Sequence, residues 1–291
     1  MRDFIPMLPR RSFLRWGLAA SASAFLWPGK LWADGDAPKI TTDPWRKQLV
    51  RFPQKTDLIL MTSRPPQLET PLKYFKTEIT PNDAFFVRWH EAGIPTQVDT
   101  ATFRLNIGGH VDNALHLSVD DLKQNFQPVS LVAVAQCAGN SRSFFEPRVA
   151  GTQWGNGAVG NAKWTGVRLS DVLKSAGVKP GAVQVSFQGM DLPPLPDTPP
   201  FIKALDADHA MDGQVMIAYA MNDSDLPMLN GYPIRLVVPG WYATYWVKSL
   251  HHITVLNEPF KGYWMDTAYR IPDNPDANES PTDLATKTVP V

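Results

Sequence analysis

The sequence Val-Ala-Val-Ala-Gln-Cys-Ala-Gly-Asn-Ser-Arg, residues 132–142, decides the fold, and it leads into Gly-Asn-Gly-Ala-Val-Gly-Asn-Ala-Lys-Trp-Thr-Gly at residues 155–166. The apolar run from Val129 to Ala135 predicts a buried strand that carries Cys137 at its end. Six glycines follow between residues 139 and 166. Glycine lets backbone approach backbone, or a large ligand, where a Cβ would clash. The strand and the glycine-rich loop therefore predict a site centred on Cys137.

Cys137 is the only cysteine in the 291 residues. This excludes an intrachain disulfide, a zinc site of the CxxC type and an iron–sulfur cluster in this chain. A lone cysteine is often a small buried hydrophobe with no chemical task. Its position at a strand end, with Arg142 five residues further on, instead favours a thiolate held by a metal or a cation.

Two motifs carry a resemblance to a known family: Gln-Cys-Ala-Gly-Asn-Ser-Arg at residues 136–142 and Gly-Asn-Ala-Lys-Trp-Thr-Gly-Val at residues 160–167. They resemble the molybdenum domain of the sulfite oxidase family, in particular its bacterial periplasmic sulfite dehydrogenases. A further match is Asn-Gly-Tyr-Pro-Ile-Arg-Leu-Val-Val-Pro-Gly at residues 230–240. The resemblance extends from about residue 80 to residue 272. It implies a molybdenum–molybdopterin cofactor whose one protein ligand is Cys137.

The resemblance also implies roles for further residues. Its substrate pocket would be formed by Arg88, Arg142, Tyr269 and Trp154. Its cofactor site would be formed by Phe86, Arg88, His90, Cys137, Asp191, Asn230, Arg235, Trp246 and Lys248. Among these, Arg235 and Lys248 would bind the terminal phosphate of the pterin, for which the planar fork of an arginine is well suited.

Residue types alone leave other interpretations open. Arg88 and His90 share one face of the strand predicted over Ala84–His90, and a solvated edge strand would show the same pattern. Arg235 lies in an apolar strand, where a cation needs a counter-anion, and an internal salt bridge would supply one. Asp191 follows a strand beside a glycine and would also serve to cap a turn.

Three histidines are interpreted as structural. Adjacent residues on a strand face opposite ways, so His251 and His252 are badly placed to chelate one ion. His209 falls in a stretch, residues 205–211, that the pattern favours as helical. None of the three is assigned to chemistry.

Short strands, many loops and few helices predict an α+β fold. Alternation predicts strands at Phe103–Gly109 and Val183–Phe187, Ser118 is a helix N-cap, and a second helix ends at Gly177. We divide the chain into a signal peptide (1–33), a lead-in with a short helix near Trp45–Val50 (34–79), a molybdopterin-binding catalytic domain (80–272) and a polar tail (273–291). Most relatives continue with an immunoglobulin-like dimerisation domain, which we expect to be missing here.

The N-terminus carries a twin-arginine signature, Arg-Arg-Ser-Phe-Leu-Arg at residues 10–15. The apolar stretch that follows, Trp16–Leu26, is too short to span a bilayer. A stray basic pair before a buried helix is the alternative. We predict export to the periplasm by the twin-arginine translocation machinery, with no stable membrane anchor.

The charge balance argues against a nucleic-acid partner. The chain has 28 Lys+Arg and 28 Asp+Glu, and without residues 1–33 the balance becomes 23 against 27. A nucleic-acid-binding protein would need a basic face.

The predicted activity is the molybdenum-dependent oxidation of sulfite to sulfate. The chain has no CxxCH motif for a c-type haem, so a separate c-type cytochrome is the expected electron acceptor. One alternative is a periplasmic molybdopterin-dependent reductase of methionine sulfoxide, or a related sulfur-compound dehydrogenase subunit. The pair Arg88 and Arg142 favours a small oxyanion over a neutral sulfoxide. A protein that has lost its cofactor is the remaining alternative, against which the presence of Cys137, Arg235 and Lys248 speaks.

Overall fold

A computed structural model of the chain describes residues 48–270. The predictions for the signal peptide and for the polar tail fall outside the described residues. In chain order the strands are β1 (Leu49–Arg51), β2 (Asp57–Ser63), β3 (Pro66–Glu69), β4 (Val87–Arg88), β5 (Leu105–Gly109), β6 (Leu115–Leu117), β7 (Pro128–Gln136), β8 (Val159–Arg168), β9 (Gln184–Gly189), β10 (Ile202–Asp206), β11 (Met216–Met221), β12 (Ser224–Asp225), β13 (Arg235–Val237) and β14 (Leu250–Leu256). The helices are α1 (Val119–Asn125), α2 (Leu169–Ala176), α3 (Ala207–Met211) and α4 (Tyr263–Asp266). Short 3₁₀ helices span Leu72–Lys76, Arg142–Phe144 and Met228–Asn230.

The quoted stretch builds the third of three sheets. Strand β7 pairs antiparallel with β8 over its whole length, from Pro128↔Val167 to Gln136↔Val159. The order of this sheet is β12-β11-β8-β7, and β13 pairs with β11. Gly166 lies where β8 meets β11, and a Cβ there would collide with the carbonyl oxygen of Ile217. The predicted strand before Cys137 is therefore confirmed, but its predicted burial is wrong: β7 lies at the edge of its sheet, and Ala135 is its one buried residue. Gly166, one of the glycines that follow Cys137, permits the close approach of two strands.

The first sheet brings the N-terminal region against the site. It consists of β1-β2-β3-β4, all antiparallel. Leu49 and Val50, expected at the end of a short helix, pair instead with β2. The strand predicted over Ala84–His90 is only two residues long, because Phe85 and Phe86 turn into the core beside it.

The second sheet has the order β10-β9-β14-β5-β6, and only the pair β14–β5 is parallel. It confirms the predicted strands at Phe103–Gly109 and Val183–Phe187, with boundaries shifted by one or two residues. One cluster of buried apolar side chains joins the second and third sheets to α1 and α2. Each such side chain contributes about 1.5–3 kcal/mol.

The helix ends agree with the sequence signals. The Ser118 hydroxyl accepts a hydrogen bond from the amide of Asp121, whose carboxylate accepts one from the amide of Ser118. This capping box starts α1. Gly177, at φ 70°, ends α2. The mixture of short helices and sheets confirms the α+β prediction. No helix within residues 48–270 is long and apolar enough to cross a membrane.

Candidate active site

One cavity lies where β4, the end of β7 and β13 meet. It collects eight of the predicted site residues, which are Phe86, Arg88, His90, Cys137, Asn230, Arg235, Lys248 and Tyr269. These residues come from four separate stretches of the chain. Phe85, Ala135, Ala243 and Thr244 complete the lining.

Cys137 follows the last residue pair of β7 and β8. It is 8% exposed, and its amide donates to the carbonyl of Ala158 at 2.9 Å, which extends the pairing by one residue. The amide of Gly139 donates to Cys137 Sγ at 3.4 Å. The sulfur thus lies at the edge of the cavity with one backbone donor beside it, and a cysteine ligates a soft metal as its thiolate.

Arg142 depends on two glycines for its position. A Cβ on Gly139 or on Gly151 would lie 2.8 Å or 2.5 Å from Arg142 Nη1, so the guanidinium passes between two bare backbone positions. Nη1 also donates to the carbonyl of Thr152 at 3.3 Å. Arg142 is only partly buried and is not part of the cavity lining, but its charge reaches Tyr269.

The inner group of the cavity consists of Asn230, Arg235 and Lys248. Arg235 is 4% exposed and donates to the carbonyls of Asn230 and Trp246, at 2.9 Å and 3.1 Å. Its guanidinium carbon lies 5.0 Å from the ring centroid of Trp164. Its Nε is buried and has no hydrogen-bond partner within the described residues. Burial lowers the pKa of Arg235 to about 9.

Arg235 has no salt bridge to a carboxylate within residues 48–270. The internal salt bridge that sequence analysis left open is therefore not found in this part of the chain.

Lys248, with Nζ 4.6 Å above the ring of Trp89, is a second cation of the inner group. Burial, reinforced by Arg235, lowers the pKa of Lys248 to about 7. Arg235 and Lys248 thus lie together; the charge of Asp191 reaches Lys248, but no carboxylate is paired with Arg235 among the described residues, an arrangement that suits a bound anion.

Lys55 supports the inner group from behind, and sequence analysis missed it. The residue is 5% exposed, and its ammonium donates to the side-chain oxygen of Asn230 and to the carbonyls of Asn82 and Phe85. The Asn230 amide in turn donates to the carbonyl of Phe86 at 3.1 Å. The position of Asn230 is therefore set by a residue 175 positions earlier in the chain. A lysine in a polar lead-in carries no local signal for such a role.

The outer group consists of His90, Arg142 and Tyr269. His90 Nε2 and the Tyr269 hydroxyl are 2.5 Å apart, and the His90 ring stacks on Phe201 with centroids at 3.6 Å. Burial, together with the charges of Arg88, Lys248 and Lys203, holds the pKa of His90 well below its usual value. A neutral imidazole carries one proton, and in the tautomer with that proton on Nε2 it donates to the Tyr269 oxygen and leaves the phenol proton free for another acceptor. Burial raises the pKa of Tyr269, so the phenol keeps its proton and remains a donor.

Besides Arg142, three predicted residues lie away from the cavity lining. Trp154 is 1% exposed and packs in the core, and Trp246 is fully buried beneath Arg235. Asp191 is 4% exposed, and burial raises its pKa while the charge of Lys248 lowers it. Their contacts with substrate or cofactor stay predictions.

Glu91, which was not predicted, is 2% exposed and has one carboxylate oxygen with no hydrogen-bond partner in the described range.

The histidines interpreted as structural have structural contacts. His209 Nδ1 lies 2.7 Å from a carboxylate oxygen of Asp212, and the ring stacks on Trp241. The rings of His251 and His252 touch edge to face, at 4.3 Å between centroids, so the prediction that they face opposite ways is wrong; the register of β14 against β9 shifts at this point. No group of three or more His, Cys, Asp or Glu side chains suited to a metal ion occurs among the described residues.

Comparisons with known proteins agree on one family. A family model described as "Oxidoreductase molybdopterin binding domain" matches residues 91–264. The chain is 35% identical over 248 residues to mitochondrial sulfite oxidase of Homo sapiens, covering 81% of this chain and 44% of that protein. It is 37% identical over 236 residues to mitochondrial sulfite oxidase of Drosophila melanogaster, covering 78% of this chain and 39% of that protein. The chain therefore spans less than half the length of these curated relatives.

A solved structure has the same fold. The crystal structure of the sulfane dehydrogenase SoxCD from Paracoccus pantotrophus superposes with a TM-score of 0.63, covering 84% of this chain and 61% of that chain. The sequence identity is 24%, so this likeness concerns the fold alone.

Proposed function

This chain belongs to the sulfite oxidase family of molybdopterin-binding oxidoreductases, and we propose that it oxidises sulfite to sulfate. The observation that carries the proposal is a single cavity that contains the only cysteine of the chain together with several cations. Sulfite is a small anion, so its binding depends on charge and hydrogen bonds rather than on apolar area.

The residues present fit the cofactor. The inner group offers the cations Arg235 and Lys248, and the unpartnered Nε of Arg235 is a donor without an acceptor. A phosphate, as at the end of the pterin, would neutralise this charge and accept that hydrogen bond. Cys137 would supply the thiolate ligand for molybdenum. When bound, this group would supply the two-electron oxidation and oxygen transfer, chemistry that no side chain of the chain provides.

The side chains of the protein would bind and orient the substrate. Arg88 and Arg142 would hold the negative charge of sulfite, and Tyr269 would donate a hydrogen bond to one of its oxygens. Tyr269 is poised for this task because the neutral ring of His90 fixes its hydroxyl. The reaction consumes one sulfite and one water and yields one sulfate, two protons and two electrons. We propose that a separate c-type cytochrome accepts the electrons one at a time.

The test is a steady-state assay on purified, molybdenum-loaded protein. We expect saturable, sulfite-dependent reduction of cytochrome c. Protein from cells grown on tungstate instead of molybdate is the matched control, and it should be inactive. Reduction of methionine sulfoxide by a chemically reduced viologen dye, without oxidation of sulfite, would support the alternative and overturn the proposal.

We further propose that the protein functions in the periplasm after twin-arginine export. The motif at residues 10–15 supports this, and so does the need to fold around a cofactor before export. Replacing Arg10 and Arg11 by lysine should leave the loaded protein in the cytoplasm. Normal arrival of the double variant in the periplasm would contradict this route.

A further inference from the structure

Lys203 is a buried cation in the middle of β10. The residue is 0% exposed, and its ammonium donates to the carbonyl of Trp264 at 2.6 Å. It forms no salt bridge with a carboxylate within residues 48–270. Burial lowers the pKa of Lys203 to about 7. Burying a lysine ammonium costs desolvation free energy, and contacts with the surrounding residues must offset that cost.

Two tyrosine rings provide part of that compensation. Lys203 Nζ lies 4.2 Å from the ring centroid of Tyr245 and 5.2 Å from that of Tyr269. A cation over an aromatic face is attracted by the ring's quadrupole, and more strongly so away from water. The ammonium thus joins β10 to two further segments, one of which carries the tyrosine of the outer group.

The segment that carries Tyr269 has little structure of its own. After the single turn of α4 it leaves the helix at Thr267. Tyr269 itself has φ 61°, a left-handed conformation that is costly for a residue with a side chain. Surrounding contacts must hold this backbone, and two of them are the Lys203–Trp264 hydrogen bond and the Lys203–Tyr269 ring contact.

We propose that Lys203 is a positioning residue of the substrate pocket. It anchors the segment 263–269 to the sheet. The Tyr269 hydroxyl thereby keeps its hydrogen bond with His90 Nε2 and faces the substrate. Lys203 is assigned no contact with cofactor or substrate, because its ammonium lies against the carbonyl of Trp264 and the rings of Tyr245 and Tyr269. The kinetic part of this inference rests on the proposed sulfite oxidation, whereas the anchoring itself does not.

The experiment combines hydrogen–deuterium exchange with steady-state kinetics on the full, molybdenum-loaded enzyme. Three substitutions separate the contributions: Lys203→Met removes donor and charge, Lys203→Gln keeps a donor, and Lys203→Arg keeps both. Lys123→Met is the matched control, because Lys123 also lies over a tyrosine ring, that of Tyr219, but on the surface.

We expect exchange in residues 262–270 of Lys203→Met to be about tenfold faster than in wild type, while β9 and β14 keep their protection. The KM for sulfite should rise about tenfold, with a smaller change in kcat. Lys203→Gln should be intermediate, Lys203→Arg should approach wild type, and Lys123→Met should match it.

Two results would overturn the inference. One is wild-type exchange in residues 262–270 of Lys203→Met together with a wild-type KM. The other is faster exchange throughout the second sheet, in Lys203→Met and Lys203→Gln alike, which would make Lys203 a purely structural residue. If wild type does not oxidise sulfite, the proposed function fails, but local loosening of residues 262–270 still supports the anchoring.

Discussion

Arg235 and Arg142 belong to the two groups of the candidate site, and their surroundings are opposite. Arg235 lies in a strand, close to the rings of Trp164 and Trp246, and is 4% exposed. Arg142 lies in a glycine-rich loop, is partly exposed, and donates to one loop carbonyl. A deeply buried cation with no carboxylate beside it suits an anion that stays bound. A partly exposed cation on a loop suits an anion that exchanges.

This contrast assigns different tasks to the two groups. The inner group would hold the cofactor through its phosphate, and the outer group would hold each sulfite as it arrives. Cys137 lines the same cavity as both Arg235 and Tyr269. Substitutions in the inner group should therefore change cofactor content, whereas substitutions in the outer group should change the KM for sulfite.

The largest expected effect on turnover is that of Cys137→Ser. This substitution leaves both arginines in place and removes the proposed metal ligand between the two groups. Serine has nearly the same size, so the fold should persist, but it is a poor ligand for a soft metal. Turnover with sulfite should fall by more than about a hundredfold, beyond the range for residues that only support a metal ligand. The melting temperature of cofactor-free protein serves as the control and should match wild type. Wild-type turnover by the variant would show that Cys137 is not the ligand.

A smaller effect is expected for Arg142→Gln in the outer group. Charge-assisted hydrogen bonds contribute about 1.5–3 kcal/mol, so the KM for sulfite should rise roughly ten- to a hundredfold. The turnover number should change less, because substrate and transition state are both anionic. Arg104→Gln, at an exposed arginine that donates to the carbonyl of Ala101, is the matched control. An unchanged KM in Arg142→Gln would mean that sulfite binds elsewhere.

The last expected effect is on stability rather than on activity, and it concerns the pH dependence of unfolding at Lys55, behind the inner group. Burial lowers the pKa of Lys55 from 10.5 to about 7, so between these values the unfolded chain binds more protons at this site. The free energy of unfolding should therefore rise with pH from 7 towards 10, by at most about 1.4 kcal/mol per pH unit for one group. Lys55→Met should reduce this slope, while the exposed Lys123→Met should leave it unchanged. Urea titrations at pH 7, 8 and 9 measure it, and an identical slope in Lys55→Met would contradict the prediction.

Local signals predicted much of the fold. The strand before Cys137, the cap at Ser118 and the stop at Gly177 each depend on neighbouring residues, and the structure confirms them. The strand around Arg88 is shorter than predicted. The aromatic residues before it, Phe85 and Phe86, pack in the core and lie outside the paired strand.

The candidate site was predicted through a family resemblance rather than through local patterns. Its internal supports were not predicted, because they join residues far apart in sequence. Lys55 reaches Asn230 over 175 positions, and His90 reaches Tyr269 over 179. In the sequence, Lys203 is a single polar residue with no distinguishing neighbour. Only the folded chain shows that its ammonium lies over the rings of Tyr245 and Tyr269. The periodicity of apolar residues predicts which face of a helix or strand is buried, but it does not predict which distant side chain will contact that face.

The most direct test of the central claim is to measure molybdenum and pterin per protein in Arg235→Met and Arg142→Gln, purified in parallel. The substitution removes a buried charge but also two hydrogen bonds to the carbonyls of Asn230 and Trp246, so the melting temperature of cofactor-free Arg235→Met is the control and should stay close to wild type. Any loss of cofactor then reports binding rather than unfolding. We predict that Arg235→Met loses most of its molybdenum and pterin, whereas Arg142→Gln retains the wild-type content. Full cofactor content in Arg235→Met, or an equal loss in both variants, would contradict the division into an inner and an outer group.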